Sequence, residues 1–291
     1  MKKYFFAIIT LLSINACKDT KTQETSETHT TGSTTIWVDE SIAPLAEDIT
    51  TVFERYYDRA SIEIKTSNAT SITNSLLKND ISLAMISRDL TEKEIKHISQ
   101  RIAPTIIPVA KEAVVFITHK TNKDSLLNFQ KFLLELKEPN SDKIIVFDNA
   151  NSTITKMIQE QGEIDFNQKN MYYMNNTKEV IEYISQNPKA IGIVGSNWML
   201  NMYDNNEENI AHLRTMKLWN ETQKQYIKPS QSTLADNTYP LVRTINIVDI
   251  KGAAGLGRGL ASFAASDKGQ RIVLKSGLMP IEIPPREIVV K

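Results

Sequence analysis

Ser87, Arg88 and Asp89 close an apolar run, Ile81 to Ile86, and precede a helix-start signal. In that signal Thr91 and Glu94 stand at the spacing of a capping box. A hydroxyl, a guanidinium and a carboxylate between a buried strand and a helix suit one kind of chemistry, the holding of an anion. Arg88 brings a fixed positive charge and a fork of donors. Asp89 repels a fully ionised oxyanion but accepts a hydrogen bond from one that carries a proton. Together they point to hydrogen phosphate. Taken alone, the Arg-Asp pair reads equally well as a solvated pair or a tie between two turns.

Three other turns have the same character. Asp39-Glu40-Ser41 follows the strand pattern at 34–38, Thr66 to Ser71 (with Ser67, Asn68 and Thr70) follows 61–65, and Asn149 to Thr153 (with Asn151 and Ser152) follows 143–148. Each is a strand-to-helix turn rich in hydroxyls or amides. In a parallel α/β sheet such turns gather at the carboxyl ends of the strands, where helix N-termini add free N–H groups and partial positive charge. Any single turn is an ordinary helix cap. The agreement of four turns makes an anion site.

The elements that must position these turns are legible in outline. Strand patterns fall at 34–38, 61–65, 81–87, 105–110, 113–119, 143–148, 170–174, 190–195 and 241–250. Helical patterns fall at 41–57, 71–79, 91–100, 152–162 and 177–187, within 121–142, and over 255–277 with a break near Asp267 to Gly269. In the first helix Ile42, Leu45, Ile49, Val52, Phe53 and Tyr56 share one stripe. Two successive βαβαβ units predict sheets covered on both faces by helices. A length of 291 residues suits two lobes better than one core.

Lys plus Arg and Asp plus Glu both total 34, so the chain has no net charge to draw it to nucleic acid or to an anionic membrane surface. Lys2 and Lys3 precede an apolar run, Tyr4 to Leu12, too short to span a bilayer and suited to a signal peptide. Ile14-Asn15-Ala16-Cys17 then resembles the lipobox of bacterial lipoproteins, which predicts a signal peptide over 1–16 and lipid on Cys17. Cys17 is the one cysteine of the chain, so no disulfide is expected. Residues 17–33 lack large apolar side chains and read as a flexible tether. The expected location is the bacterial cell envelope, lipid-anchored, on the periplasmic or extracytoplasmic face.

Motifs that suggest catalysis do not hold together. "GAAGLGRGLA" (252–261) lacks the order of a nucleotide-binding loop and suits close helix packing. His29, His97, His119 and His212 have no metal-ligand spacing. Ser152 has no evident histidine partner and stands in no nucleophile elbow. Glu92, Lys93, Glu94 and Lys96 read as a solvated helix face, and Trp198 as core or cleft wall. No enzyme activity, cofactor or metal is expected.

The order of several segments resembles the phosphate-binding protein family of bacterial ABC importers. "DISLAMISRDLT", "NANSTITKMI", "AIGIVGSNW", "YPLVRTINIV" and "GQRIVLKSGLMP" match that family's motifs in order, across about residues 34 to 287. The resemblance implies an α/β, two-lobe type II periplasmic-binding-protein fold. Each lobe is then a mostly parallel sheet flanked by helices, with the ligand in the cleft between them. Lobe I comprises 34–115 plus 238–291 and lobe II 116–237. It implies ligand contacts from Ser41, Ser67, Asn68, Thr70, Ser87, Arg88 and Asp89 in lobe I and from Asn151, Ser152 and Thr153 in lobe II. It implies inorganic phosphate as ligand, permease subunits as partners and a monomer. Phe147 stands where the family places an arginine, Ser152 where it places a glycine, and Asp39-Glu40 where it is neutral. These departures leave room for another oxyanion or small ligand, or for phosphate sensing in the envelope. A phosphoester hydrolase lacks an identifiable nucleophile or metal cluster.

Overall fold

The computed structural model describes residues 27–138, 143–164, 170–205, 208–252 and 254–285. The signal peptide and Cys17 lie outside the described residues. In chain order the elements are β1 (Gly32–Asp39), a 3-10 turn (Glu40–Ile42), α1 (Ala43–Tyr56), β2 (Ala60–Ser67), α2 (Ala69–Lys78), β3 (Leu83–Ile86), α3 (Glu92–Ser99), β4 (Thr105–His119), β5 (Leu126–Leu127) and α4 (Phe129–Leu136). Next come β6 (Ile144–Phe147), α5 (Thr153–Gly162), β7 (Met171–Tyr173), α6 (Thr177–Gln186), β8 (Ala190–Gly195), α7 (Ser196–Asp204) and a second 3-10 turn (Glu208–His212). The chain continues through β9 (Leu213–Thr215), β10 (Lys217–Asn220), β11 (Gln225–Ile227), α8 (Gln231–Ala235), β12 (Val242–Asp249), α9 (Leu256–Ala265), α10 (Asp267–Lys275) and β13 (Met279–Pro280).

One mixed sheet runs in the order β2-β1-β3-β12-β4-β8-β6-β7, and a small sheet, β11-β10-β5, stands apart. β1 is parallel to β2 and β3, and β6 is parallel to β7 and β8. β12 and β4 join the two parallel sets through antiparallel pairing. β4 is the shared rail. Its first part, Thr105 to Ala113, pairs with β12, and its second part, Val114 to Thr118, pairs with β8. The sequence patterns at 105–110 and 113–119 thus merge into one strand. Pro108, which cannot donate to the ladder, is tolerated at the register shift between Ile245 and Asn246 of β12.

This offset along β4 explains why turns from both halves meet. β3 runs in the direction of β4 and ends beside Asn246, close to the middle of β4. β8 runs against β4 and ends with Gly195 opposite Val114. The carboxyl ends of both parallel sets therefore reach the middle of β4, near Glu112.

Each half has its own core. Ile36, Leu45, Phe53, Ile247 and Leu260 fill one face of the first half, with Ile72, Leu76, Ile86 and Val248 on the other. Phe116, Phe132, Phe147, Ile154 and Ile193 belong to the second core. Sheets covered on both faces read as near-continuous apolar runs, as in "LAMI" and "AIGIVG".

Residues 27–31, placed in the tether by sequence, lie on the folded body. The Glu27 carboxylate accepts the Leu256 N–H at 2.9 Å and pairs with Lys251. Gly255 offers α9 no side-chain cap, and Glu27 fills that role. The glycines of 252–261 make the approach possible, since a Cβ on Gly259 would collide with the His29 carbonyl.

Candidate functional site

Arg243 on β12 and Glu112 on β4 are direct cross-strand partners. Nε and Nη2 of Arg243 reach Glu112 Oε2 at 2.8 and 2.7 Å, with both side chains almost fully buried. Burial alone would lower the pKa of Arg243. The charges of Glu112 and Asp39 outweigh it and hold the guanidinium above its ordinary value. Arg243 Nη1 then donates to Ser87 Oγ at 2.8 Å and to Ser41 Oγ at 3.0 Å.

Both hydroxyls in turn donate hydrogen bonds to one acceptor, the buried carboxylate of Asp39. Ser41 N–H and Ser41 Oγ donate to Asp39 Oδ1 at 3.2 and 3.0 Å. Ser87 Oγ and Thr153 Oγ1 donate to Oδ2, the latter at 3.2 Å. Ser41, Ser87 and Thr153, three of the residues expected from sequence, are thus brought together around a carboxylate rather than around one another.

A cavity of about 230 Å³ borders this corner, lined by Asp39, Glu40, Ser67, Asn68, Asp148 and Ser152 among others. Asn68 caps α2 through Ser71 N–H, and Ser152 caps α5 through Thr155 N–H while donating to Asp148 at 2.6 Å. Thr70 Oγ1 donates to the Asn151 carbonyl at 2.9 Å, linking the two halves at the rim. Glu40 accepts from Thr177 N–H and Oγ1 at the start of α6, a favourable place for a carboxylate. Trp198 Nε1 donates to the Glu40 carbonyl at 3.2 Å, and Leu45 N–H donates to Asn197 Oδ1. With the Thr153–Asp39 bond, these contacts draw the lobes together across the cleft.

Arg88 and Asp89 take other partners. Arg88 donates to both oxygens of Glu94 at 2.8 and 2.9 Å and to Thr73 at 3.0 Å, tying α3 to α2. Burial tends to raise Glu94, but Arg88 and the Thr91 N–H hold it below the usual carboxylate range. Glu94 is therefore part of this tie and not of a merely solvated face. Asp89 accepts from the Asn246 amide at 2.9 Å. The positive charge of the corner comes from Arg243 instead. Phe147, in the position of the family's arginine, is buried and stacks on Tyr173 at 5.7 Å. An arginine inside "LVRTINIV" and a glutamate inside "PVAKEAVVF" were the available signal, because lone charges in buried strands need partners.

The remaining carboxylates make the cleft acidic. Burial pushes Asp148 up to about 6, against its bond from Ser152 and with help from the charge of Asp39. Burial also lifts Glu40 to about 7, opposed by Thr177 and reinforced by Asp148 and Asp39. Below about pH 4.5 Glu40 is neutral in folded and unfolded chains alike. Between there and about pH 7 the folded state keeps a proton that the unfolded chain releases, so this contribution to stability is lost as pH rises. Glu40→Gln keeps an acceptor for Thr177 and removes the titration. Its unfolding free energy is expected to exceed that of the wild type by about 1–2 kcal/mol at pH 8, after allowance for solvent, and to match it near pH 5. Denaturant unfolding across this range checks the difference, and an unchanged pH profile would contradict it.

Among the described residues no group of three or more His, Cys, Asp or Glu side chains could hold a metal ion. Nor is any described helix long and apolar enough to cross a membrane.

Residues 22–268 match the family model described as the PBP superfamily domain. The chain belongs to the PBP superfamily. A curated relative, phosphate-binding protein PstS of Pseudomonas aeruginosa, is 21% identical over 269 residues, covering 82% of this chain and 80% of its own length. Among solved structures, this PBP superfamily chain is similar to a protein from Clostridium perfringens described as a phosphate ABC transporter substrate-binding protein with bound phosphate. That match has a TM-score of 0.68 at 19% identity, covering 86% of this chain and all of that one. An ABC-type phosphate transport receptor from Vibrio cholerae gives a TM-score of 0.63 at 15% identity, covering 86% of this chain and 100% of that one. The architecture is the two-lobe type II periplasmic-binding-protein fold.

Proposed function

We propose that the chain is an extracytoplasmic solute-binding protein that captures phosphate for an ABC importer and is held at a membrane by lipid on Cys17. The observation that carries this reading is the corner in which Arg243 directs the hydroxyls of Ser41 and Ser87, with Thr153 from the other lobe, onto a single pair of acceptor oxygens. Such a set of aimed donors suits an oxyanion. The acidic surroundings favour an anion that brings its own proton, because Asp148 at the edge of the corner can accept from hydrogen phosphate and would repel sulfate. The names of the relatives agree with phosphate. Permease subunits are the partners this role requires.

The test is calorimetry on full-length mature protein taken from the membrane fraction with detergent. Phosphate is expected to give saturable heat at pH 7 and sulfate none. Absence of heat from phosphate, or recovery of the protein free of membranes, would contradict the corresponding part of the proposal. The cavity of about 230 Å³ beside the corner favours a second reading, a larger phosphorylated or polar solute. A co-purifying mass in native mass spectrometry would identify it.

A further inference from the structure

We infer that Asp39 is a resident ligand of the cleft: its carboxylate stands in for the oxyanion that the hydroxyl corner holds, and free solute binds by displacing it. This rests on the oxyanion reading above and adds the residue that sets its affinity.

An aspartate before a helical turn ordinarily accepts from N–H groups of its own turn. The Ser41 N–H supplies that bond here. A cap does not account for the remaining donors. Ser87 and Thr153 lie 48 and 114 residues away in sequence, and Thr153 belongs to the other lobe. Each oxygen of Asp39 receives two of the four bonds. The hydroxyls of Ser41 and Ser87 are themselves acceptors for Arg243, which leaves their protons directed at Asp39. Polarity, donor number and enclosure by both lobes are those of a bound anion, yet the anion is a side chain.

A carboxylate attached to the site competes at an effective concentration of roughly millimolar or more. Apparent affinity for free solute falls in proportion to the fraction of time that the site is free. Asp39 also lines the neighbouring cavity of about 230 Å³, which gives the displaced side chain room to withdraw. The device makes the protein a high-threshold receptor, loaded only when external anion is abundant.

The experiment compares wild type, Asp39→Gly and Asp39→Asn of the full mature chain. Phosphate binding is measured by calorimetry and lobe closure by small-angle scattering, with phosphate or acetate as probe. Asp39→Gly is expected to bind phosphate at least tenfold more tightly than wild type. It should also show a larger radius of gyration without added anion, and shrink to the wild-type value with phosphate. Asp39→Asn keeps an acceptor for the Ser41 N–H and covers the case in which the glycine variant folds poorly; it too should bind phosphate more tightly than wild type. Equal or weaker phosphate binding by both variants, with no reclosure of the glycine variant by acetate, overturns the inference, as does a glycine variant that stays closed without anion. A glycine variant that opens, ignores phosphate and recloses with acetate upholds the resident ligand while refuting phosphate as the solute.

Discussion

Arg243→Ala lowers the stability of the protein by about 3–5 kcal/mol, the range for breaking one partner out of a buried ion pair. Glu112 would be left without its counter-charge in a site with essentially no solvent exposure. The serine hydroxyls at 41 and 87 would lose their common donor, and Asp39 would lose the counter-charge behind them. The double variant Arg243→Met with Glu112→Leu removes both charges and is expected to recover most of that loss, because apolar pairs of similar volume often match or exceed a buried salt bridge. The recovered protein should still fail to respond to phosphate. Thermal and denaturant unfolding of the two single variants and the double variant give the coupling directly. A loss below about 1 kcal/mol for Arg243→Ala is the behaviour of an exposed pair and would contradict this assignment.

Gly195→Ala is the second change with a large expected effect. A Cβ at this position would stand 2.5 Å from Glu112 Oε1 and 2.7 Å from Arg243 Nη2. Elsewhere a side-chain tip could swing aside. Here Glu112 also accepts the Asn197 N–H at 2.8 Å, and Arg243 is fixed by Ser41 and Ser87. One methyl group should therefore cost about 1–3 kcal/mol, as overpacking does in other cores, and disturb the cleft as well. The obstacle is space and not backbone angle, since Gly195 is not among the glycines with positive φ. Denaturant unfolding checks the value, and a change within about 0.5 kcal/mol would show that the pair is looser than these distances imply.

The parts of this molecule that were legible in the sequence are those set by local chemistry. The Thr91–Glu94 capping box, the caps at Asn68 and Ser152, and the break between α9 and α10 at Ser266 all follow from residues within a few positions of one another. The convergence of Ser41, Ser87 and Thr153 was legible too, because topology gathers the carboxyl ends of parallel strands. Long-range pairing was not. Arg88 looked like the cation of the site because it follows Ser87, yet Glu94 six residues on takes both faces of its fork. Arg243 and Glu112 lie 131 residues apart and meet only through the register of β12 on β4. The role of Asp39 was hidden in the same way, since an aspartate before a helix reads as a cap until the distant donors are placed. The short elements between α7 and β12 carry too few residues for a periodicity to declare them.

A crystal structure of the mature protein grown in saturating phosphate is the most direct measurement. Phosphate is expected within hydrogen-bond reach of Ser41, Ser87 and Thr153, with Arg243 behind the serines and Asp39 turned toward the cavity beside Asp148. Phosphate at Arg88 or on another surface, with Asp39 still holding its four bonds, would contradict the oxyanion corner and the function built on it.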